Sequence, residues 1–195
     1  MSTPESSLGL ADWRLFLARW WRQPLTVGAV APSSRWLAAA MLDAAQPLHG
    51  PVLELGAGTG VFTRALIEAG LPPAEISVSE RIPAFAQALR QRFPQVRIIE
   101  GDAAALRPSM LPAPAACILS GLPLRAMDAS IIERILRAAF ECSAPAACLV
   151  QFSYGLRCPV PASVREALGL QARRHTWVAR NLPPASVWCL RRATR

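Results

Sequence analysis

Pro51 to Phe62, P-V-L-E-L-G-A-G-T-G-V-F, is the stretch that decides the fold. Val52 to Leu55 reads as a short buried strand that breaks into a turn carrying Gly56, Gly58 and Gly60, with a helix opening near Val61. Glycine brings no side chain to hold a ligand off, so such a turn presents bare backbone N–H groups to whatever lies above it. The spacing discriminates between ligands. A dinucleotide fingerprint, G-x-G-x-x-G, needs its third glycine where this chain has Val61. A glycine turn alone is equally compatible with a tight connection that binds nothing, so the rest of the chain has to decide.

Downstream, the pattern alternates. A helix over Val61–Ala69 is closed by Gly70, with Pro72 and Pro73 beyond it. Ile76–Ser79 is predicted as the second strand and ends at Glu80, about twenty residues past the glycines, where open α/β folds hold ribose hydroxyls. A helix over Pro83–Arg92 and a third strand over Val96–Ile99 lead into Glu100-Gly101-Asp102-Ala103. There an aspartate can accept from an adenine amino group and the next backbone N–H can donate to the ring. Ala116–Leu119 is the fourth strand, ending in Ser120-Gly121-Leu122-Pro123-Leu124 at the edge where such folds keep their chemistry. Ser130–Phe140 is predicted as a helix with Ile131, Ile135, Leu136 and Phe140 inward, and Ala147–Phe152 as the fifth strand, followed by Tyr154-Gly155. Thr176–Val178 and Ser186–Leu190 form a closing strand pair around Asn181-Leu182-Pro183-Pro184. The result is an α/β fold, a mostly parallel seven-stranded sheet with helices on both faces.

Upstream, residues 1–50 read as an N-terminal extension to a core over 51–195. Trp13, Phe16, Leu17, Trp20 and Trp21 fall on one helical face, with Arg14, Arg19 and Arg22 off it and Pro24 limiting its extent. An aromatic stripe edged by arginine suits the interface of an anionic bilayer; the same stripe also suits packing on the domain. Thr26–Ser34 is a small-residue loop whose Ser33 and Ser34 precede a helix over Arg35–Ala45. Its free N–H groups fit a phosphate or a cofactor carboxylate, or close an ordinary capped connection.

The formal charge is +8 and all 21 basic residues are arginine. Arginine forks favour a phosphate-bearing or anionic partner, although a GC-rich genome also replaces lysine with arginine. The five cysteines are odd in number and contain no C-x-x-C, and Cys117, Cys148 and Cys189 lie in apolar strand-like runs. The pattern points to a reducing cytosolic setting, with no disulfide frame and no metal site. No signal peptide and no apolar run of about 20 residues is visible, so any membrane association is expected to be peripheral.

Four features agree in order: the glycine turn, Glu80, Gly101-Asp102-Ala103 and Ser120-Gly121-Leu122-Pro123. E-L-G-x-G-T-G resembles the first motif of the Rossmann-like class I methyltransferases that use S-adenosylmethionine. G-A-V-A-P-S-S at Gly28–Ser34, E-L-G-A-G-T-G-V-F-T at Glu54–Thr63, S-G-L-P-L at Ser120–Leu124, Q-F-S-Y-G at Gln151–Gly155 and R-N-L-P-P-A at Arg180–Ala185 resemble the small bacterial phospholipid N-methyltransferases. The resemblance implies stepwise methylation of phosphatidylethanolamine toward phosphatidylcholine, at the inner face of the cell membrane. An ornithine lipid is an alternative acceptor, and a cofactor-binding protein without catalysis an alternative class. The rRNA adenine dimethylases share this architecture but carry N-L-P-Y or N-I-P-Y at the fourth strand. Here Ser120 followed by Gly121 stands at the asparagine position and Leu124 at the aromatic one. That departure counts against a nucleobase acceptor, because an aliphatic amine needs no stacking platform.

With that resemblance, Glu54, Gly56, Gly58, Thr59, Gly60, Glu80, Asp102, Ala103 and Ser120 are the expected cofactor-binding residues. Glu54 suits either the cofactor's amino group or support from behind. Ser33, Ser34, Arg35 and Arg157 are candidates for the lipid phosphate. Tyr154, the only tyrosine, can hold an ammonium by cation–π attraction and position or deprotonate the amine; it also reads as an amphipathic strand end. His49 and His175 lie in no motif and are read as structural.

Overall fold

A computed structural model of the 195-residue chain describes residues 35–193. The expected aromatic helix near 12–23, with Trp13, Arg14, Phe16, Arg19, Trp20, Trp21 and Arg22, and the loop residues Ser33 and Ser34 lie outside the described residues.

The elements alternate through β5. They are α1 (Arg35–Ala44), β1 (Val52–Leu55), α2 (Val61–Glu68), β2 (Ile76–Glu80), α3 (Pro83–Arg92), β3 (Arg97–Glu100), β4 (Ala115–Ser120), α4 (Ala129–Glu141) and β5 (Ser143–Tyr154). Then follow α5 (Ala162–Ala167), β6 (Leu170–Val178) and β7 (Ala185–Arg192). One seven-stranded sheet runs β3-β2-β1-β4-β5-β7-β6. Only β7 is antiparallel to its neighbours, inserted between β5 and β6. The order reverses at β1, so the turns after β1 and β4 face one another at the carboxyl edge, where such sheets bind ligands.

Strand alternation splits the core in two. Val52, Val78, Cys117, Leu119, Val150 and Val187 point to one face, where Leu37 and Met41 of α1, Phe62 and Leu66 of α2 and Leu89 of α3 cover them. Leu53, Leu55, Ile118, Leu149 and Leu190 point to the other, under Ile132, Ile135 and Leu136 of α4 and Val164 of α5. Helix α1, grouped in the sequence with the N-terminal region, is therefore part of this core. Its Asp43 Oδ2 lies 2.7 Å from His175 Nε2, clipping it to β6.

Three local readings shift. On α4 the inward residues are Ile132, Ile135, Leu136, Ala139 and, as expected, Phe140, whereas Ile131 is 40% exposed. The residues at 132, 135, 136 and 139 keep the helical period, and 131 falls one position off it. Strand β5 begins at Ser143, which pairs with Ala115 of β4 before the register shifts to Cys117 opposite Cys148; Ala144, Pro145 and Ala146, poor strand formers, fall in that irregularity and hide the early start. Strand β6 begins at Leu170, six residues before the expected start. It is an edge strand, so its outward Gln171, Arg173 and Arg174 are exposed and leave no apolar alternation to read.

Candidate active site

The glycine turn is built by close approach. Gly56 N–H donates to Ser79 O at 2.8 Å, tying the turn to β2, and Gly60 N–H donates to Ala57 O at 2.9 Å. A Cβ on Gly60 would stand 2.7 Å from Phe93 and 2.8 Å from Leu89, so α2 and α3 can meet only over bare backbone. Gly58 differs: its φ is +54° and, among the described residues, nothing lies within 4 Å of a Cβ built on it. Space is open there, and its N–H is turned to Glu80, donating to Oε2 at 2.9 Å. Glu80 Oε1 accepts from Ile82 N–H at 2.9 Å. Two backbone donors thus fix a buried carboxylate, and each oxygen keeps a lone pair for a further donor. Thr59 is exposed, and its carbonyl accepts from Arg92 Nη1 at 3.0 Å.

Beneath the turn lies Glu54, fully buried. Its Oε2 accepts from the Thr63 hydroxyl of α2, and its Oε1 has no partner among the described residues. Burial raises its pKa from 4.5 to about 7, against the Thr63 hydrogen bond and with help from the Glu80 charge.

The turn after β4 leans on the turn after β1. Gly121 N–H donates to Leu55 O at 2.8 Å, and a Cβ on Gly121 would stand 2.7 Å from Gly56 O. Matched on the shared Leu-Pro pair, the asparagine of N-L-P-Y falls on Gly121 rather than on Ser120, and that contact leaves it no room. Ser120 is fully buried and its Oγ accepts from Leu122 N–H at 3.4 Å. Leu124, at the aromatic position, is 1% exposed and sits in the core under α4. Gln151, unassigned from the sequence although it opens Q-F-S-Y-G, holds this turn: its Nε2 donates to Leu122 O at 3.0 Å and to Phe152 O at 2.8 Å.

Gly101 N–H donates to Glu80 O at 3.0 Å, bringing the third-strand exit to the same edge. Asp102 is exposed and its Oδ1 accepts from Ala104 N–H at 2.9 Å, capping the short turn Ala103–Ala105; Ala103 is buried. Tyr154 ends β5. Its ring meets Phe152 edge-on at 5.5 Å, and Phe152 meets Phe62 of α2 at 6.0 Å. Burial pushes the Tyr154 hydroxyl pKa up, opposed by its hydrogen bond with the Asn181 side chain. Asn181, also unassigned from the sequence, is 2% exposed and donates through Nδ2 to Pro183 O at 2.7 Å. The signal available for it was the R-N-L-P-P-A run, whose buried asparagine has to satisfy a polar side chain. Arg35 and Arg157 are exposed, and the Arg35 guanidinium sits 4.8 Å from the Trp36 ring centre.

The structure brings the β1, β2, β3 and β4 exits and Tyr154 to one edge. His49 and a cavity of ≈ 280 Å³ beside it, lined also by Gly50, Gly70 and Glu75, lie at the opposite, amino edge. The five cysteines are free thiols, and no group of three or more His, Cys, Asp or Glu able to hold a metal occurs among the described residues.

No protein-family model matches the chain. It is similar to an ornithine lipid N-methyltransferase of Singulisphaera acidiphila, 29% identical over 143 residues, covering 70% of this chain and 74% of the relative. A ribosomal RNA small subunit methyltransferase A of Novosphingobium aromaticivorans is 45% identical over 62 residues, 31% of this chain but 22% of that protein. Among solved structures, the glycopeptide N-methyltransferase MtfA complexed with S-adenosyl-L-methionine superposes with a TM-score of 0.63 at 15% identity, covering 85% of this chain and 96% of that one. The chain has the Rossmann-like fold of the class I S-adenosylmethionine-dependent methyltransferases.

Proposed function

We propose that the protein is an S-adenosylmethionine-dependent N-methyltransferase acting on the amine of a membrane-lipid headgroup, with phosphatidylethanolamine as acceptor and phosphatidylcholine as end product. The observation that carries the acceptor class is the turn after β4. Gly121 against Gly56 O and the buried Leu124 leave neither an amide to hold a base edge nor a ring to stack on it. The similarity to a lipid N-methyltransferase over 70% of the chain supports the same class, and favours ornithine lipid as a second acceptor.

The residues at the carboxyl edge fit the cofactor. Gly58 offers open space, Glu80 a fixed carboxylate with spare lone pairs, and Glu54 an unpartnered acid oxygen below. Glu80 would accept from ribose hydroxyls, and the Ala103 turn would border the base. Bound there, S-adenosylmethionine supplies an activated methyl group on a cationic sulfonium. The protein's own task is to hold a neutral amine in line with it, and alignment alone is worth several kcal/mol, up to about 7–11 in favourable systems.

Tyr154 contributes a ring face for the headgroup ammonium and a hydroxyl held by Asn181. Because burial keeps that hydroxyl protonated, it orients the amine through a lone pair and does not act as a phenolate base. A water-poor mouth disfavours the ammonium form, so the proton can leave to solvent without a dedicated base. Arg35 and Arg157, both exposed at this edge, would meet the lipid phosphate. No helix among the described residues is long and apolar enough to cross a membrane, which is compatible with work at the inner membrane surface from the cytoplasmic side.

Tritiated S-adenosylmethionine incubated with vesicles of phosphatidylethanolamine, vesicles of ornithine lipid, or rRNA tests the proposal. Label entering the organic-soluble phosphatidylethanolamine fraction is the expected result; label on ornithine lipid alone corrects the acceptor, and label on rRNA alone overturns the reading.

A further inference from the structure

The large apolar residues exposed among the described residues are Trp36, Met110, Ile131, Leu156, Trp177 and Leu182. Four of them gather at one place. Trp36 opens α1 and meets the Arg180 guanidinium at 4.9 Å, which ties it to the turn between β6 and β7. Leu182 stands in that turn, and Trp177 at the end of β6 leads into it. Leu156 follows Gly155, whose carbonyl accepts from Ser186 Oγ at the start of β7. Leu156 and Leu182 are 63% and 75% exposed, which no packing within the domain explains. The place is the carboxyl rim of the β5-β7-β6 half of the sheet, continuous with the edge that carries Tyr154.

The charge around these residues is one-sided. From Ser153 to Arg195 the chain has eight arginines and a single acid, Glu166. Arg35, Arg157 and Arg180 are exposed among the apolar residues, and two of those guanidiniums flank Trp36 at 4.8 and 4.9 Å.

We propose that this rim is a docking face for an anionic lipid bilayer, with Leu156 and Leu182 entering the acyl boundary, Trp36 and Trp177 at headgroup depth and the arginines on lipid phosphates. Each residue type has a use there, and the combination has a use nowhere else. Tryptophan is enriched at headgroup level, and guanidinium pairs with phosphate bidentately. Exposed leucine gains only from leaving water for hydrocarbon. A single-stranded RNA would use the arginines and the indole rings but gains nothing from two bare leucines. None of its residues belongs to the expected N-terminal aromatic helix. It deepens the lipid-amine reading, on which its purpose rests: docking by this rim sets the Tyr154 mouth against the headgroups.

The experiment floats the full chain with three targets: vesicles of phosphatidylglycerol and phosphatidylethanolamine, vesicles of phosphatidylcholine alone, and an rRNA fragment. The variants are Leu156→Asp/Leu182→Asp and, as a control at an exposed apolar residue outside this cluster, Met110→Asp in the turn that leads into β4. The double variant is expected to lose about tenfold or more in affinity for the anionic vesicles, the scale of two exposed leucines replaced by charge. Met110→Asp is expected to float like the wild type, and both to keep transfer to a detergent-dispersed short-chain phosphatidylethanolamine. Flotation of the double variant equal to wild type, equal loss in Met110→Asp, or wild-type preference for rRNA overturns the docking face. Absence of transfer to the dispersed lipid by the wild type instead overturns the lipid-amine reading, whatever the flotation shows.

Discussion

Glu54 is the residue whose chemistry is most open to measurement. Its carboxyl is fully buried, bonded on one oxygen to Thr63 and without a partner among the described residues on the other, and burial raises its pKa from 4.5 to about 7. A raised carboxyl binds its proton more tightly in the folded chain than in the unfolded one. Between pH 4.5 and about 7 the folded state therefore carries the extra proton. Stability is greatest below that window and falls as pH rises through it. Moving the carboxyl from 4.5 to about 7, at ~1.4 kcal/mol per pH unit, makes the full loss about 3.5 kcal/mol. Glu54→Gln keeps the shape and an acceptor for Thr63 but cannot ionise. Urea unfolding of the cofactor-free protein near about pH 5 and about pH 8 supplies the comparison, since all other titrations cancel between wild type and variant. Wild-type stability relative to Glu54→Gln should drop by about 2–3 kcal/mol between those two pH values, because part of the loss already lies below about pH 5. A difference that does not change with pH would show that Glu54 is not held protonated by burial, and would refute the reasoning.

Glu80→Ala should cut affinity for S-adenosylhomocysteine by about tenfold or more, the worth of a charged hydrogen-bonding group, while melting stays cooperative; unchanged binding by calorimetry removes its ribose role. Gly121→Ala should lower stability by about 1–3 kcal/mol, because its Cβ meets a backbone oxygen that cannot swing aside; a chemical-denaturation midpoint equal to wild type contradicts the close approach of the two turns. Asn181→Ala should reduce kcat for lipid methylation about as much as Tyr154→Phe, with cofactor affinity kept and little further loss in the double variant; additive losses would separate the pair. Arg14, Arg19 and Arg22 changed together to glutamate should weaken sedimentation with anionic vesicles; undiminished binding rules out the N-terminal segment as a contact.

Much of the fold was legible because its parallel half writes its pattern locally. Val52–Leu55 is a short run bounded by Pro51 and Gly56, Ile76–Glu80 alternates apolar and polar residues between Pro73 and Pro83, and Pro83 starts α3 at its first residue, as proline does when its missing N–H costs nothing. The closing strands were harder. The first part of β6 is exposed on an edge and reads as polar loop, and α5, six residues long, is too short for a period to show. The site divides similarly. Glu54, Glu80 and the three glycines of the turn announce themselves by spacing, whereas Gln151 and Asn181 each act on a partner distant in sequence, the Leu122 carbonyl and the Tyr154 hydroxyl. What made Gly121 matter was also invisible in one dimension: the residue it must avoid, Gly56, lies 65 positions earlier.

That contact has an evolutionary corollary. With Gly121 seated on the Gly56 carbonyl, the donor-side and acceptor-side turns are mechanically a single part, and neither can be reshaped without displacing the other. New substrates would be accommodated by tinkering elsewhere, in the segments 155–161 and 179–184. Gly155 itself is held by its φ of +106°, but the exposed Leu156, Arg157 and Leu182 beside it can change without touching the grip on the nucleoside.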